Sequence, residues 1–283
     1  MRPTVVVDSP DDPRLEQFRL RERELRPRRM PARLTRSTPE NVAPGLFVAE
    51  GDLVVERALA AGCVPRVALT DATRPSRVID LLPPHVEVFA ATAEARRMLT
   101  GLGVALDVIA LFERPPLDDF RRLIDRARHV IVLEDVDNPT NVGAIVRSAV
   151  ALGVDGLVLD RNSSDPFARR ALRVSMGTAL GLPMARHGVL AEVIDALDRA
   201  GYTVHALTPD QKATDLTNVV ADHGRVAIVL GSERQGLSTD ALARIESHVR
   251  IPMADGVDSL NVAAAAAVAC YALIGRSRTE LDD

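Results

Sequence analysis

Three observations predict an α/β protein built around a parallel sheet. From Leu46 onward, short apolar strands alternate with amphipathic helices. Residues 129–134 (HVIVLE) form a continuous apolar run, as expected of a strand covered on both faces. The chain has 283 residues, 47% of them apolar, which suits a large core and two domains.

The elements follow in order. Residues 1–36 hold ten arginines against six acidic residues, a net +4, which leaves −8 on the rest of a chain of formal charge −4. That asymmetry marks a basic N-terminal extension with a polyanion as its candidate partner. The interleaved charges of RLEQFRLREREL suit a solvated, ion-paired helix equally well. Strands are expected at 46–49, 64–70, 86–90 and 104–112. Helices are expected at 52–61, with Leu53, Val54, Leu59 and Ala60 on one face, at 75–82 and at 93–99. Arg114-Pro115-Pro116 breaks the chain, so domains are expected at 37–115 and 116–283. The second series has strands at 129–134, 156–160, 182–185, 203–207, 226–230 and 249–251. Its helices fall at 141–152, 168–177, 189–200 and about 259–274.

Composition excludes several chemistries. Lys212 is the only lysine and follows Gln211, so there is no Walker A motif, and a Schiff-base enzyme would have to use Lys212. Cys63 and Cys270 are too few for a thiolate zinc site or a disulfide framework, which points to a reduced, cytoplasmic protein. No metal motif occurs. The longest apolar run, residues 262–274, is too short to span a membrane.

Three segments could carry chemistry. NPTNVGAIVRSA (138–149) follows the strand HVIVL, where α/β folds place ligands. At about 100° per residue, Val142, Ile145, Val146, Ala149 and Val150 make one stripe and Arg147 projects away from it. Asn141 is read as the helix cap. Alone, Arg147 reads as a surface arginine. IVLGSERQGLS (228–238) runs from a buried strand into a loop where Gly231 allows close approach to the backbone. IPMADGVDSLNVAAA (251–265) leaves a strand, crosses a loop and enters a helix that Ser259 is placed to cap. Its alanines allow close packing. The only Gly-x-Gly, at 101–103, enters a strand, so a dinucleotide fingerprint is not supported.

Together and in order, these stretches resemble the three motifs of the SpoU/TrmH family of RNA ribose 2′-O-methyltransferases, in the SPOUT superfamily. The likeness covers roughly residues 125–276. FVAEGDLVVERALAAG (47–62) resembles the opening of the small, ribosomal-protein-like substrate domain of members that modify larger RNAs, with Glu50 and Gly51 in its opening motif.

The resemblance implies a Rossmann-like catalytic domain with a deep trefoil knot, beside the smaller N-terminal α/β domain. It implies S-adenosyl-L-methionine as cofactor, held by Leu207, Gly231, Ile251, Met253 and Leu260. It implies a catalytic group of Arg147, Asn141, Glu233, Ser259 and Asn261. A guanidinium stays protonated at ordinary pH, so Arg147 is expected to grip a phosphate and stabilise developing oxyanion charge rather than act as a base. Arg173 and Ser175 are secondary candidates for RNA contact. The resemblance also implies a homodimer and an RNA partner, ribosomal RNA before transfer RNA. With two tyrosines, six phenylalanines and no tryptophan, recognition by RNA shape is expected over a stacking platform. The competing readings are the same chemistry on transfer RNA, an inactive RNA- or ribosome-binding protein of this fold, and a dinucleotide oxidoreductase.

Overall fold

The computed structural model describes residues 2–26, 28–29, 42–43, 45–100, 103–219 and 224–275. The chain divides into two compact units. One takes Met1–Pro115 with Phe167–Gly181, the other Pro116–Pro166 with Leu182–Asp283.

The first unit holds a five-stranded sheet. In chain order its strands are β1 (Val5–Val7), β4 (Leu46–Glu50), β5 (Pro65–Asp71), β6 (Glu87–Ala91) and β7 (Val108–Glu113), and in space the order is β1-β6-β5-β7-β4. β7 runs antiparallel to both its neighbours, and the other pairs are parallel. A two-residue ladder joins β2 (Arg28–Arg29) to β3 (Val42–Ala43).

Residues 1–36, expected as a separate basic extension, instead give the sheet its edge strand β1. A 3₁₀ turn at Pro13–Arg19 and the single-turn helix α1 (Glu22–Leu25) follow, and they bury Leu15, Phe18 and Leu25 in the core of this unit. The charges dominate the sequence here, yet three large apolar side chains anchor the segment. Arg33 and Arg36 lie outside the described residues.

Helix α2 (Asp52–Ala60) buries Val54, Val55 and Ala58, while Leu53 stays in solvent, which corrects the expected face. Apolar residues occupy most of the turn, so the periodicity left the inward side open. The helix expected at 75–82 is a 3₁₀ turn, Arg77–Leu81, capped by Ser76. Helix α3 (Ala93–Thr100) lies where expected, but β7 begins at Val108 and the exposed Val104 precedes it.

The first unit also takes α6 (Arg169–Val174), which the sequence reading placed with the C-terminal domain. The Glu50 carboxylate, at the end of β4, lies buried between two α6 guanidiniums. Arg169 Nη2 donates to Oε1 at 2.6 Å, and Arg173 donates to Oε2. Gly51, at φ +87°, lets the chain turn from β4 into α2. Ser175 is fully buried and its hydroxyl donates to the Leu172 carbonyl, so it cannot meet RNA as expected.

The second unit is a wholly parallel seven-stranded sheet. Its strands are β8 (His129–Leu133), β9 (Gly156–Leu159), β10 (Met184–Arg186), β11 (Tyr202–Leu207), β12 (Thr214–Asp215), β13 (Arg225–Leu230) and β14 (Ser247–Arg250). Their spatial order is β10-β9-β8-β13-β11-β14-β12. Val130 and Val132 of β8, with Ala227 and Val229 of β13, join a core with α4 (Phe120–Arg126), α7 (Leu190–Arg199) and α8 (Thr239–Arg244). Ile131 and Ile228, one residue out of phase, are buried on the other side of the sheet. There α9 (Val262–Cys270) packs against β13 and α5 (Pro139–Ala151). α4, α8 and β12 were not foreseen.

Candidate active site

β13, β11 and β14 are neighbours in the sheet, so the loops leaving their C-terminal ends emerge side by side. This is the edge where parallel α/β sheets bind ligands. A cavity of about 650 Å³ opens there. Leu207, Gly231, Ile251, Met253 and Leu260, the five residues expected to hold a cofactor, all line it.

The loop after β13 folds tightly on itself. Gly236 N–H donates to the Ser232 carbonyl at 2.9 Å, and Gly236 sits at φ +68°. A Cβ on Gly231 would fall 2.2 Å from the Gly236 carbonyl carbon and 2.4 Å from the Leu237 nitrogen. Gly231 is therefore required by the loop's own crossing. Glu134, just past β8, accepts from Ser238 N–H at 2.8 Å and ties this loop to the neighbouring strand.

A second, smaller cavity of about 210 Å³ adjoins the first, and the two share Ser232, Glu233, Arg234, Gln235 and Val262. Asp135, Asp137, Asn138 and Asn141 complete much of its wall. Asp135 holds φ 55°, a left-handed conformation that aspartate adopts more readily than most residues other than glycine.

Asn261 is the junction of this site. Its Oδ1 accepts from Ala263 N–H at 3.0 Å and Ala264 N–H at 3.4 Å, capping α9. Its Nδ2 donates to Asn141 Oδ1 at 3.1 Å and to Glu233 Oε1. One amide thus joins the start of α5, the loop after β13 and the start of α9.

Two expectations are corrected. Asn261, not Ser259, caps α9, though Ser259 still lines the larger cavity. Asn138, not Asn141, caps α5, accepting from Thr140 N–H at 2.9 Å. Pro139 is then the first helical residue, a position that needs no N–H donor, and Asn141 is buried inside the first turn.

Arg147 stands apart. It projects from α5 into solvent, as the helical angle predicts, and lines neither cavity. Val150, assigned to the apolar stripe, is also exposed. The sequence reading missed Asp135, Asp137 and Arg234. Their signal was available, since all three flank glycine- or proline-marked turns directly after buried strands. Among the described residues, no group of three or more His, Cys, Asp or Glu is arranged to hold a metal ion.

Comparison with known proteins places this geometry. The model of the SpoU rRNA Methylase family matches residues 128–271. An uncharacterized tRNA/rRNA methyltransferase of Mycobacterium bovis is 38% identical over 269 residues, spanning 94% of this chain and 90% of the relative. A putative TrmH family tRNA/rRNA methyltransferase of Staphylococcus haemolyticus is 34% identical, over 64% of this chain and 72% of its own. Among solved structures, the AdoMet-bound rRNA methyltransferase from Sinorhizobium meliloti shares the fold with a TM-score of 0.79, at 24% identity over 98% of both chains. The SpoU methyltransferase AviRb from Streptomyces viridochromogenes, in complex with the cofactor AdoMet, gives 0.71 at 26% identity over 83% of this chain and 91% of that one.

Proposed function

The chain belongs to the SpoU rRNA methylase family, and on that premise we propose that it transfers a methyl group from S-adenosylmethionine to a ribose 2′-hydroxyl of RNA, ribosomal RNA by preference. One observation carries the reading. The cavity that gathers Leu207, Gly231, Ile251, Met253 and Leu260 opens beside a polar chamber held together by Asn141, Glu233 and Asn261.

The residues present fit the cofactor. The cavity has the size of a small-molecule site, the bare Gly231 backbone lies at its wall, and Leu207, Ile251, Met253 and Leu260 supply apolar surface. When bound, S-adenosylmethionine supplies an electrophilic methyl group on a sulfonium. The protein must align the acceptor oxygen with that group and keep water out. Asn261 fixes Asn141 and Glu233 relative to each other, and these side chains orient the ribose. Ser259 forms the far wall. Arg147 grips a phosphate and stabilises charge on the 2′-oxygen as its proton passes to solvent water.

Arg147 acts on a second copy of the chain. It lies outside the cavities of its own chain, while Val150 of α5, Val268 of α9 and Tyr271 just past α9 are exposed. Pairing those helices in a homodimer would cover apolar surface and bring Arg147 to the partner's site. The family's trefoil knot is part of the same reading. Its support is the strand order: the chain passes from β13 to β14 on the far side of β11, then returns in α9 to pack on β13 and α5. We assign the first unit to RNA substrate binding, with its basic segment 1–36 contributing affinity, and the second unit to catalysis in the cytoplasm.

The test is transfer of labelled methyl from S-adenosylmethionine into size-fractionated, unmodified RNA. Label in ribosomal RNA that is lost in Arg147→Ala is expected. Label confined to the small-RNA fraction would overturn the substrate assignment. No label and no cofactor binding would leave an RNA-binding protein without activity.

A further inference from the structure

The two cavities are lined by acids. Asp135, Asp137 and Glu233 face the smaller one, and Asp210, Glu233 and Asp258 the larger. Among the described residues lining either cavity, Arg234 is the only cation, and it lines both. A carboxylate-rich wall suits a sulfonium and neutral ribose hydroxyls but repels the phosphates on either side of an acceptor ribose. An acceptor ribose within a chain is flanked by two phosphates; beside the one assigned to Arg147 of a second copy, the other needs its own positive partner in this acidic setting, and an arginine fork matches its oxygens.

Arg234 is already paired. Its Nη2 lies 3.1 Å from Asp137 Oδ2, joining the loop after β13 to the loop after β8 at the smaller cavity. The side chains are 83% and 63% exposed, so the pair is hydrated and readily exchanged. A phosphate carries the same charge as Asp137 and offers more acceptor oxygens.

We propose that Arg234 binds the second of the two phosphates flanking the acceptor ribose, the one not held by Arg147, and that Asp137 is a built-in competitor released when RNA enters. This rests on the functional reading above, to which it adds a substrate-binding residue. It makes the protein selective for a ribose within a phosphodiester chain over a free nucleoside. It also gives the two partners opposite effects. Removing Arg234 weakens RNA binding, whereas removing the Asp137 charge frees Arg234 and strengthens it.

The experiment measures KM, kcat and filter-binding affinity for unmodified ribosomal RNA transcripts across a salt series, with S-adenosylmethionine affinity measured separately by calorimetry. In Arg234→Gln, KM is expected to rise several-fold and the log–log salt slope to become shallower by about 1. Arg234→Lys is expected to restore the slope. Asp137→Asn is expected to lower KM several-fold when Arg234 is present and to change nothing when Arg234 is Gln. Unchanged KM and slope in Arg234→Gln would overturn the proposal. So would Asp137→Asn weakening RNA binding as Arg234→Gln does, which would make the pair merely structural. A cofactor Kd rising in step with the RNA KM would overturn it too, by assigning Arg234 to the cofactor. If the wild-type protein methylated no RNA, the functional reading would fail, and the binding slopes would still judge Arg234.

Discussion

Replacing Asn261 separates two jobs that one side chain performs. Asn261→Ala removes the α9 cap, a loss of about 1 kcal/mol. It also leaves the buried Asn141 Oδ1 without its donor, which costs about 1–3 kcal/mol. The sum is roughly 2–4 kcal/mol of stability, read as a lowered urea midpoint at unchanged slope. Asn261→Asp keeps the capping oxygen, and its charge suits a helix N-terminus. It removes the amide donor, however, and sets a carboxylate against Glu233. The Asp variant should therefore keep the roughly 1 kcal/mol of the cap but still lose the roughly 1–3 kcal/mol of the unpartnered Asn141 oxygen, while kcat for methyl transfer falls roughly 10- to 100-fold, the worth of one hydrogen bond to a charged group. An Asp variant as active as wild type, or an Ala variant within about 0.5 kcal/mol of it, would refute the junction assigned to Asn261.

Gly231→Ala places a methyl against the backbone of Gly236 and Leu237, which cannot rotate aside. It should cost about 1–3 kcal/mol and weaken S-adenosylmethionine binding at least about tenfold by calorimetry, since the same loop walls the cavity. Glu50→Gln leaves Arg169 and Arg173 facing a neutral group. Because the Arg173 side chain is 34% exposed, the loss in urea unfolding should lie near about 3 kcal/mol, the low end for a broken buried pair. Burial pushes the Asp71 carboxyl up, but hydrogen bonds from Thr73 and Arg74 and the Arg96 guanidinium outweigh it, and the net shift is downward. Its stabilisation is thus complete above the ordinary carboxylate range and is lost as the pH falls through the lowered folded value. Acid titration of stability should show a smaller drop in Asp71→Asn than in wild type.

The second unit was the more legible in sequence. β8 and β13 carry unbroken apolar runs, 130–133 and 226–230, and each ends at a polar or glycine-marked turn. The five cavity residues were found through the motif likeness, since nothing in Leu207 or Ile251 alone distinguishes a pocket wall from a strand end. At both helices the cap is a neighbour of the expected one, Asn138 three residues before Asn141 and Asn261 two residues after Ser259. Asn138 and Asn141 are both competent caps, and the choice fell to Pro139, whose ring fits the first helical position. Ser259 and Asn261 presented the same ambiguity, settled by contacts with Asn141 and Glu233 distant in sequence. The N-terminal segment was misread because its charges outnumber Leu15, Phe18 and Leu25, which fix its place in the core. The Arg234–Asp137 pair spans 97 residues of chain and leaves no periodic trace.

Methyl transfer to a ribose 2′-hydroxyl leaves a mark that alkaline digestion of the labelled RNA reads out. Alkali cleaves RNA through attack by the free 2′-hydroxyl on the adjacent phosphate, so a 2′-O-methyl group protects that one linkage. Label from S-adenosylmethionine is expected in alkali-resistant dinucleotides from ribosomal RNA. Label recovered in mononucleotides would place the methyl on a base and contradict it.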